Sequence, residues 1–245
     1  MLNKLFNGRV GFYNGIRVSA AFNLFLLLAA FSMMRTRLPP KNIQRFPVKD
    51  WILKEPEYAL ALAVCVFSFF ALFFPVFYIQ FYAISRGVQR SVAFYILSIL
   101  NASSFFGRLV PNALAPKLGL TNLIVFFTFA AGVITLTFPA VKDLAGIVLF
   151  ALFWGFCSGA VVSLGPAYVG MMAKDTSETG TRLGIFFSVA SVVALFASPI
   201  CGALLTKKYI WLNASLFSGI SFIIAAALGL VSRNILAKKR GTQII

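Results

Sequence analysis

The chain has 245 residues, of which 60% are hydrophobic and 11% charged, against roughly 25% charged in soluble proteins. It carries 22 Lys+Arg, 6 Asp+Glu and no histidine, a net charge of +16, which excludes imidazole catalysis, a histidine-containing zinc site and a His-ligated haem. The charges leave seven uncharged runs, 18–34, 58–85, 91–107, 118–141, 144–173, 183–206 and 209–232, which together hold 164 residues. A helix needs about 20 mainly apolar residues to cross a bilayer, so the composition predicts an all-α, polytopic helical membrane protein. The runs are continuous rather than alternating, which argues against a transmembrane barrel.

In chain order, spans are expected over 16–34, 58–81, 92–114, 122–141, 144–172, 183–205 and 210–231. Residues 1–34 hold one span, and 58–231 form a six-helix bundle. Between them, RTRLPPKNIQRFPVKDWILKEPE (35–57) contains four prolines and nine charges and reads as a hydrophilic linker. Residues 232–245 read as a polar tail. Seven spans put the two termini on opposite sides. The side shared by linker and tail holds 14 of the 22 Lys+Arg and the other side 8, so the positive-inside rule places linker and tail in the cytosol. Met1 then lies outside with no cleavable signal before it, which suggests that the chain begins inside a longer parent. The basic residues sit in short loops rather than on one continuous face, so membrane lipid and not nucleic acid is the expected contact. Cys65, Cys157 and Cys201 stand singly in apolar runs, with neither metal-ligand nor disulfide spacing, and read as buried small hydrophobes. No metal and no cofactor is expected.

The third span carries the strongest functional signal. Ser98, Asn101, Ser104, Arg108 and Asn112 recur at intervals of 3, 3, 4 and 4, which aligns them on one helical face. Arg108 has no acidic residue within any predicted span to neutralise it. Intramembrane arginines cost about 2.5–3.5 kcal/mol even on the gentler insertion scale and usually mark an ion or substrate path. A guanidinium grips a carboxylate through two parallel hydrogen bonds, so the counter-charge is expected to be a transported organic anion, with Arg108, Ser104 and Asn101 binding it. The alternative is that Arg108 snorkels to the headgroups. In the fifth span Gly155 and Gly159 form a small-xxx-small pattern followed by Pro166, and in the sixth Pro199 and Gly202 follow each other closely. Small residues permit close helix packing, and Pro with Gly permits the bends that transporters use.

NASSFFGRLVPNALAPKLG (101–119) resembles the eighth-helix end and following loop of major facilitator superfamily carriers, nearest to the fungal monocarboxylate-transporter-like branch. MMRTRLPPK (33–41) resembles the stretch after the sixth helix of that family, GFCSGAVVSLGPAYV (155–169) its tenth helix and GTRLGIFFSVASVVALFASPICGALL (180–205) its eleventh, in the same order. The resemblance implies the C-terminal six-helix bundle of a major facilitator fold plus one preceding helix, the sixth to twelfth of a twelve-helix carrier. It implies a secondary transporter, not an enzyme, working by alternating access in the plasma membrane and needing a missing N-terminal half or a second copy. Arg108 stands where monocarboxylate transporters have a substrate-binding arginine. Ser104 occupies a position where proton-linked members often have an acid, so coupling through that pair is not expected. Asn112, Pro116, Lys117 and Gly119 match the gating-loop motif, but Asn112 replaces a glycine and Pro116 replaces the aspartate that pins the loop. Two other readings stand beside this one: a seven-helix membrane receptor, and a truncated carrier that does not transport. A retinal protein fails, because the last span has no lysine.

Overall fold

In the computed structural model, which describes residues 11–35, 48–205 and 210–242, the chain is all-helical with seven helices long and apolar enough to cross a membrane. It divides into two units, Met1–Arg45 and Phe46–Ile245. Within the first, α1 (Gly11–Met33) is a single helix whose side chains are almost all exposed.

The second unit begins with the short helix α2 (Val48–Lys54) and continues through α3 (Pro56–Ser85), α4 (Arg90–Leu118) and α5 (Leu120–Thr137). A 3-10 turn at Phe138–Ala140 leads to α6 (Leu144–Gly170), α7 (Thr176–Leu205) and α8 (Trp211–Arg240). The six long helices run up and down. Contacts at one end join the starts of α3, α5 and α7 to the ends of α6 and α8, and an aromatic cluster ties the other end. There Phe138 packs between Phe74, Tyr82 and Phe150, while the Tyr82 hydroxyl donates to the Val141 carbonyl at 2.6 Å.

Three boundaries differ from those expected. The second part of the linker is not solvated chain, because α2 buries Trp51 against the bundle; residues 36–47, which contain three of the linker prolines, lie outside the described residues. The last helix continues nine residues beyond 231, to Arg240, and buries Ser232, Leu236 and Ala237 of the expected tail. The gating loop shrinks to one residue. Asn112, Pro116 and Lys117 are helical, and only Gly119 leaves the helix, with φ 87°, closing α4 and opening α5 at once. A positive φ there favours glycine over any residue with a Cβ. Hydropathy missed these extensions because polar helix ends past the hydrocarbon carry no apolar signal, although their backbone bonds continue unbroken.

The tightest helix contact joins α4 to α6. A Cβ on Gly107 would fall 2.0 Å from the Phe156 carbonyl oxygen, one on Gly155 2.5 Å from that of Leu100, and one on Gly159 2.3 Å from that of Ser104. Backbone therefore lies against backbone at three glycines, the close approach that small residues allow. Overpacking a filled contact costs about 1–3 kcal/mol, and here the obstacle is main chain that cannot rotate aside. Gly107→Ala is expected to lower the unfolding midpoint in detergent, whereas Gly180→Ala, with nothing within 4 Å of the new Cβ, leaves it unchanged or raises it. Thermal unfolding of the two variants checks this.

Candidate substrate site

The polar stripe of α4 is divided by the fold. Ser104 is buried against Gly159 of α6, while Ser98, Asn101, Arg108 and Asn112 are exposed along its border. The division follows from the glycines: the face that carries Leu100, Ser104, Gly107 and Pro111 is the one buried in the bundle. The two asparagines are held locally. The Asn101 amide donates to the Leu97 carbonyl at 3.0 Å, and the Asn112 amide donates to the Arg108 carbonyl at 2.6 Å and to the Ser163 hydroxyl of α6 at 2.9 Å. Asn112 thus fixes the α4 backbone at Arg108 and couples it to α6.

Arg108 stands ten residues before Leu118, about 15 Å of helix at 1.5 Å per residue. Residues 115–118 lie past the expected span end at 114, so Arg108 stands six residues, about 9 Å, inside that boundary. Among the described residues no acidic group pairs with its guanidinium. An always-charged, exposed fork at this depth can hold a carboxylate or another planar anion. Pro166 and Pro199 lie inside α6 and α7. The Tyr78 hydroxyl of α3 donates to the Ser198 carbonyl at 3.4 Å, next to Pro199, and would lie 3.0 Å from a Cβ at Gly202. These positions shape helix contacts; the structure does not bring them to Arg108.

A second arginine was missed. Arg182, in the first turns of α7, is fully buried. Its Nη1 lies 2.8 Å from a Glu55 carboxylate oxygen and its Nη2 3.3 Å from Glu178, and Lys174 reaches Glu55 at 3.2 Å. The rings of Trp51 and Tyr58 lie 4.5 and 4.9 Å from the centre of the guanidinium. Burial alone raises the Glu55 carboxyl, but the hydrogen bonds and charges of Arg182 and Lys174 outweigh it and hold the group below its ordinary range. This cluster clamps α2, the start of α3 and the start of α7 together. A second pair lies nearby: Lys239 of α8 binds the largely buried Glu57 at 2.6 Å, and the Ser232 hydroxyl donates to the Glu57 carbonyl while accepting from Tyr168. Arg182 bounds the sixth uncharged run, so it read as a loop charge. The one available signal was Glu178 four residues before it, a spacing that pairs side chains on a helix.

Cys65, Cys157 and Cys201 are buried and free. No group of three or more His, Cys, Asp or Glu that could hold a metal occurs among the described residues.

No protein-family model matches the chain. It is 33% identical, over 96% of its length, to the aspyridones efflux protein apdF of Emericella nidulans, and 32% identical, over 95%, to the agnestins efflux protein AgnL12 of Paecilomyces divaricatus. The MFS transporter asaE of Aspergillus flavus is 34% identical over 89% of the chain. The chain is similar to MFS-type transporters. It spans about half the length of the curated relatives it matches, 48%, 53% and 51% of these three. Seven membrane-length helices and this likeness make it a multi-pass integral membrane protein. None of the three relatives is named as an enzyme or a receptor, and none of the names specifies a monocarboxylate.

Proposed function

We propose that this chain is the C-terminal half of a major facilitator secondary transporter, α1 being the sixth helix of the carrier and α3 to α8 the seventh to twelfth, and that the carrier moves a small organic anion by alternating access. The observation that carries this reading is Arg108, charged, exposed and unpaired by any acid among the described residues, about 15 Å from its helix end. A missing first half would cover that surface and turn it into one wall of a cavity. The anion is monocarboxylate-like, because the fork of a guanidinium matches a carboxylate. The relatives named for efflux suggest the direction of transport, out of the cytosol, and the plasma membrane as its place. The linker and the C-terminus face the cytosol, where the basic excess belongs.

Arg108 and Asn101 contribute the anion site, with Ser104 setting the helix behind them. Asn112, Pro116, Lys117 and Gly119 form the α4–α5 corner that moves as one piece when the bundles rock. With Pro116 in place of an acid, the tie at this end passes to the Arg182 cluster, which couples α2 and α7 to α3. Purified chain in liposomes tests the half-carrier reading. One bundle cannot enclose a central cavity, so no saturable uptake of a radiolabelled monocarboxylate is expected from the chain alone, and uptake is expected once the first-half helices of a relative are joined to it. Saturable uptake by the chain alone would overturn the half-carrier reading in favour of a carrier assembled from two copies.

A further inference from the structure

We propose that the groove between α5 and α8 is a binding site for an anionic glycerophospholipid, with its phosphate on Arg233 and one acyl chain in the groove. The two helices meet tightly at a glycine pair: a Cβ on Gly132 would lie 3.2 Å from the Gly219 carbonyl oxygen, and one on Gly219 2.4 Å from Leu136. Toward the C-terminal end of α8 the facing residues become Ala226 and Ala227, and a cavity of about 500 Å³ opens. Val125, Phe126 and Phe129 wall it from α5, with Ile223 and Leu230 opposite on α8. Phe126, Phe129, Ala227 and Leu230 are exposed, so the groove is open along its length.

Among the described residues the polar ones lining it are Asn122 and Arg233, and both stand at one end. The Asn122 carbonyl oxygen accepts from Arg233 Nε at 2.9 Å, and Asn234 accepts from Nη1 at 3.2 Å, which orients the guanidinium at the mouth of the groove. Ile223 to Arg233 spans ten residues, about 15 Å, the depth of one leaflet of a 30 Å core. An apolar slot one leaflet long, capped by a positioned cation, is complementary in shape and in charge to a lipid with an anionic head. Basic sites between transmembrane helices bind such headgroups, and a guanidinium fork suits phosphate. A soluble anion would use the arginine but not the groove, and a zwitterionic lipid offers a phosphate whose charge its own choline cation already compensates. This inference concerns the outer surface of α5 and α8 and does not depend on which anion is carried.

Native mass spectrometry of the purified full chain in a non-ionic detergent tests it, with dioleoyl phosphatidylserine and dioleoyl phosphatidylcholine offered in equal amounts. Both lipids carry a phosphate and differ in net headgroup charge, so wild type is expected to retain the serine lipid about fivefold over the choline lipid, the scale of one basic residue facing an anionic rather than a zwitterionic headgroup. Arg233→Gln is expected to abolish the preference while leaving weak binding of both lipids. Ala227→Trp, at an exposed position that fills the slot without entering the core, is expected to reduce occupancy by both. Lys238→Gln, on the exposed end of the same helix, keeps the preference. Glycerophosphoserine in excess does not displace the lipid. Equal retention by wild type, a preference that survives Arg233→Gln or falls equally in Lys238→Gln, full occupancy in Ala227→Trp, or displacement by the free headgroup would each overturn the site. Arg233→Lys, which keeps the charge but not the fork, is expected to retain part of the preference and serves if the glutamine variant does not fold.

Discussion

Arg182→Leu is expected to lower the unfolding midpoint of the bundle by roughly 10 °C, as read from intrinsic fluorescence in detergent. The wild-type guanidinium is fully buried and lies between Glu55 and Glu178. Leucine fills much of the volume but leaves two carboxylates facing each other with only Lys174 nearby, itself largely in solvent. Removing one partner of a buried ion pair costs about 3–5 kcal/mol, whereas replacing the whole set by neutral groups is often tolerated. The triple variant Arg182→Leu, Glu55→Gln, Glu178→Gln is therefore expected to recover most of the loss. A triple variant as unstable as the single one would show that packing of the arginine stem, not charge, holds the cluster. Trp51 lies 4.5 Å from this guanidinium, and its emission is expected to shift to the red when α2 detaches.

The same cluster sets an acid limit. Glu55 has its carboxyl held below the ordinary value of 4.5. A carboxyl depressed in the folded state contributes stability that is fully present above its unfolded value and is lost as pH falls through the folded one. The wild-type midpoint is expected to be flat above about pH 5.5 and to fall below it, and Glu55→Gln to remove part of that slope.

Arg108→Ala is expected to weaken sub-saturating anion uptake by the carrier formed when a relative's first-half helices are joined to this chain, with insertion and folding unchanged. A hydrogen bond to a charged group contributes about 1.5–3 kcal/mol, so the anion's affinity should fall about 10- to 100-fold. Stability should not fall, because the side chain is exposed and pairs with no acid among the described residues. Arg108→Lys keeps the charge but not the two-pronged geometry and is expected to retain a fraction of the uptake. Wild-type kinetics in Arg108→Ala would remove this residue from the path and return it to the snorkelling role. The two arginines thus separate by readout: one variant destabilises the bundle, the other leaves it folded and weakens transport.

Seven helices and their order were legible from hydropathy, because the bilayer demands long apolar runs and nothing else in the chain imitates them. The alignment of Asn101, Ser104, Arg108 and Asn112 was legible too, since helical periodicity fixes which residues share a face. Packing then decided which half of that face is open: Gly107, Gly155 and Gly159 draw α4 onto α6 and bury Ser104, while Arg108 stays at the border. The corner at Gly119, the docked Trp51 and the buried Arg182 depend on partners 60 or more residues apart or on helix ends beyond the hydrocarbon, where composition is polar whether the chain is coiled or helical. Local sequence determines what a segment becomes in a membrane; which charges are buried and which are left for a ligand is settled only when distant helices meet, because burial and pairing are properties of contacts between them.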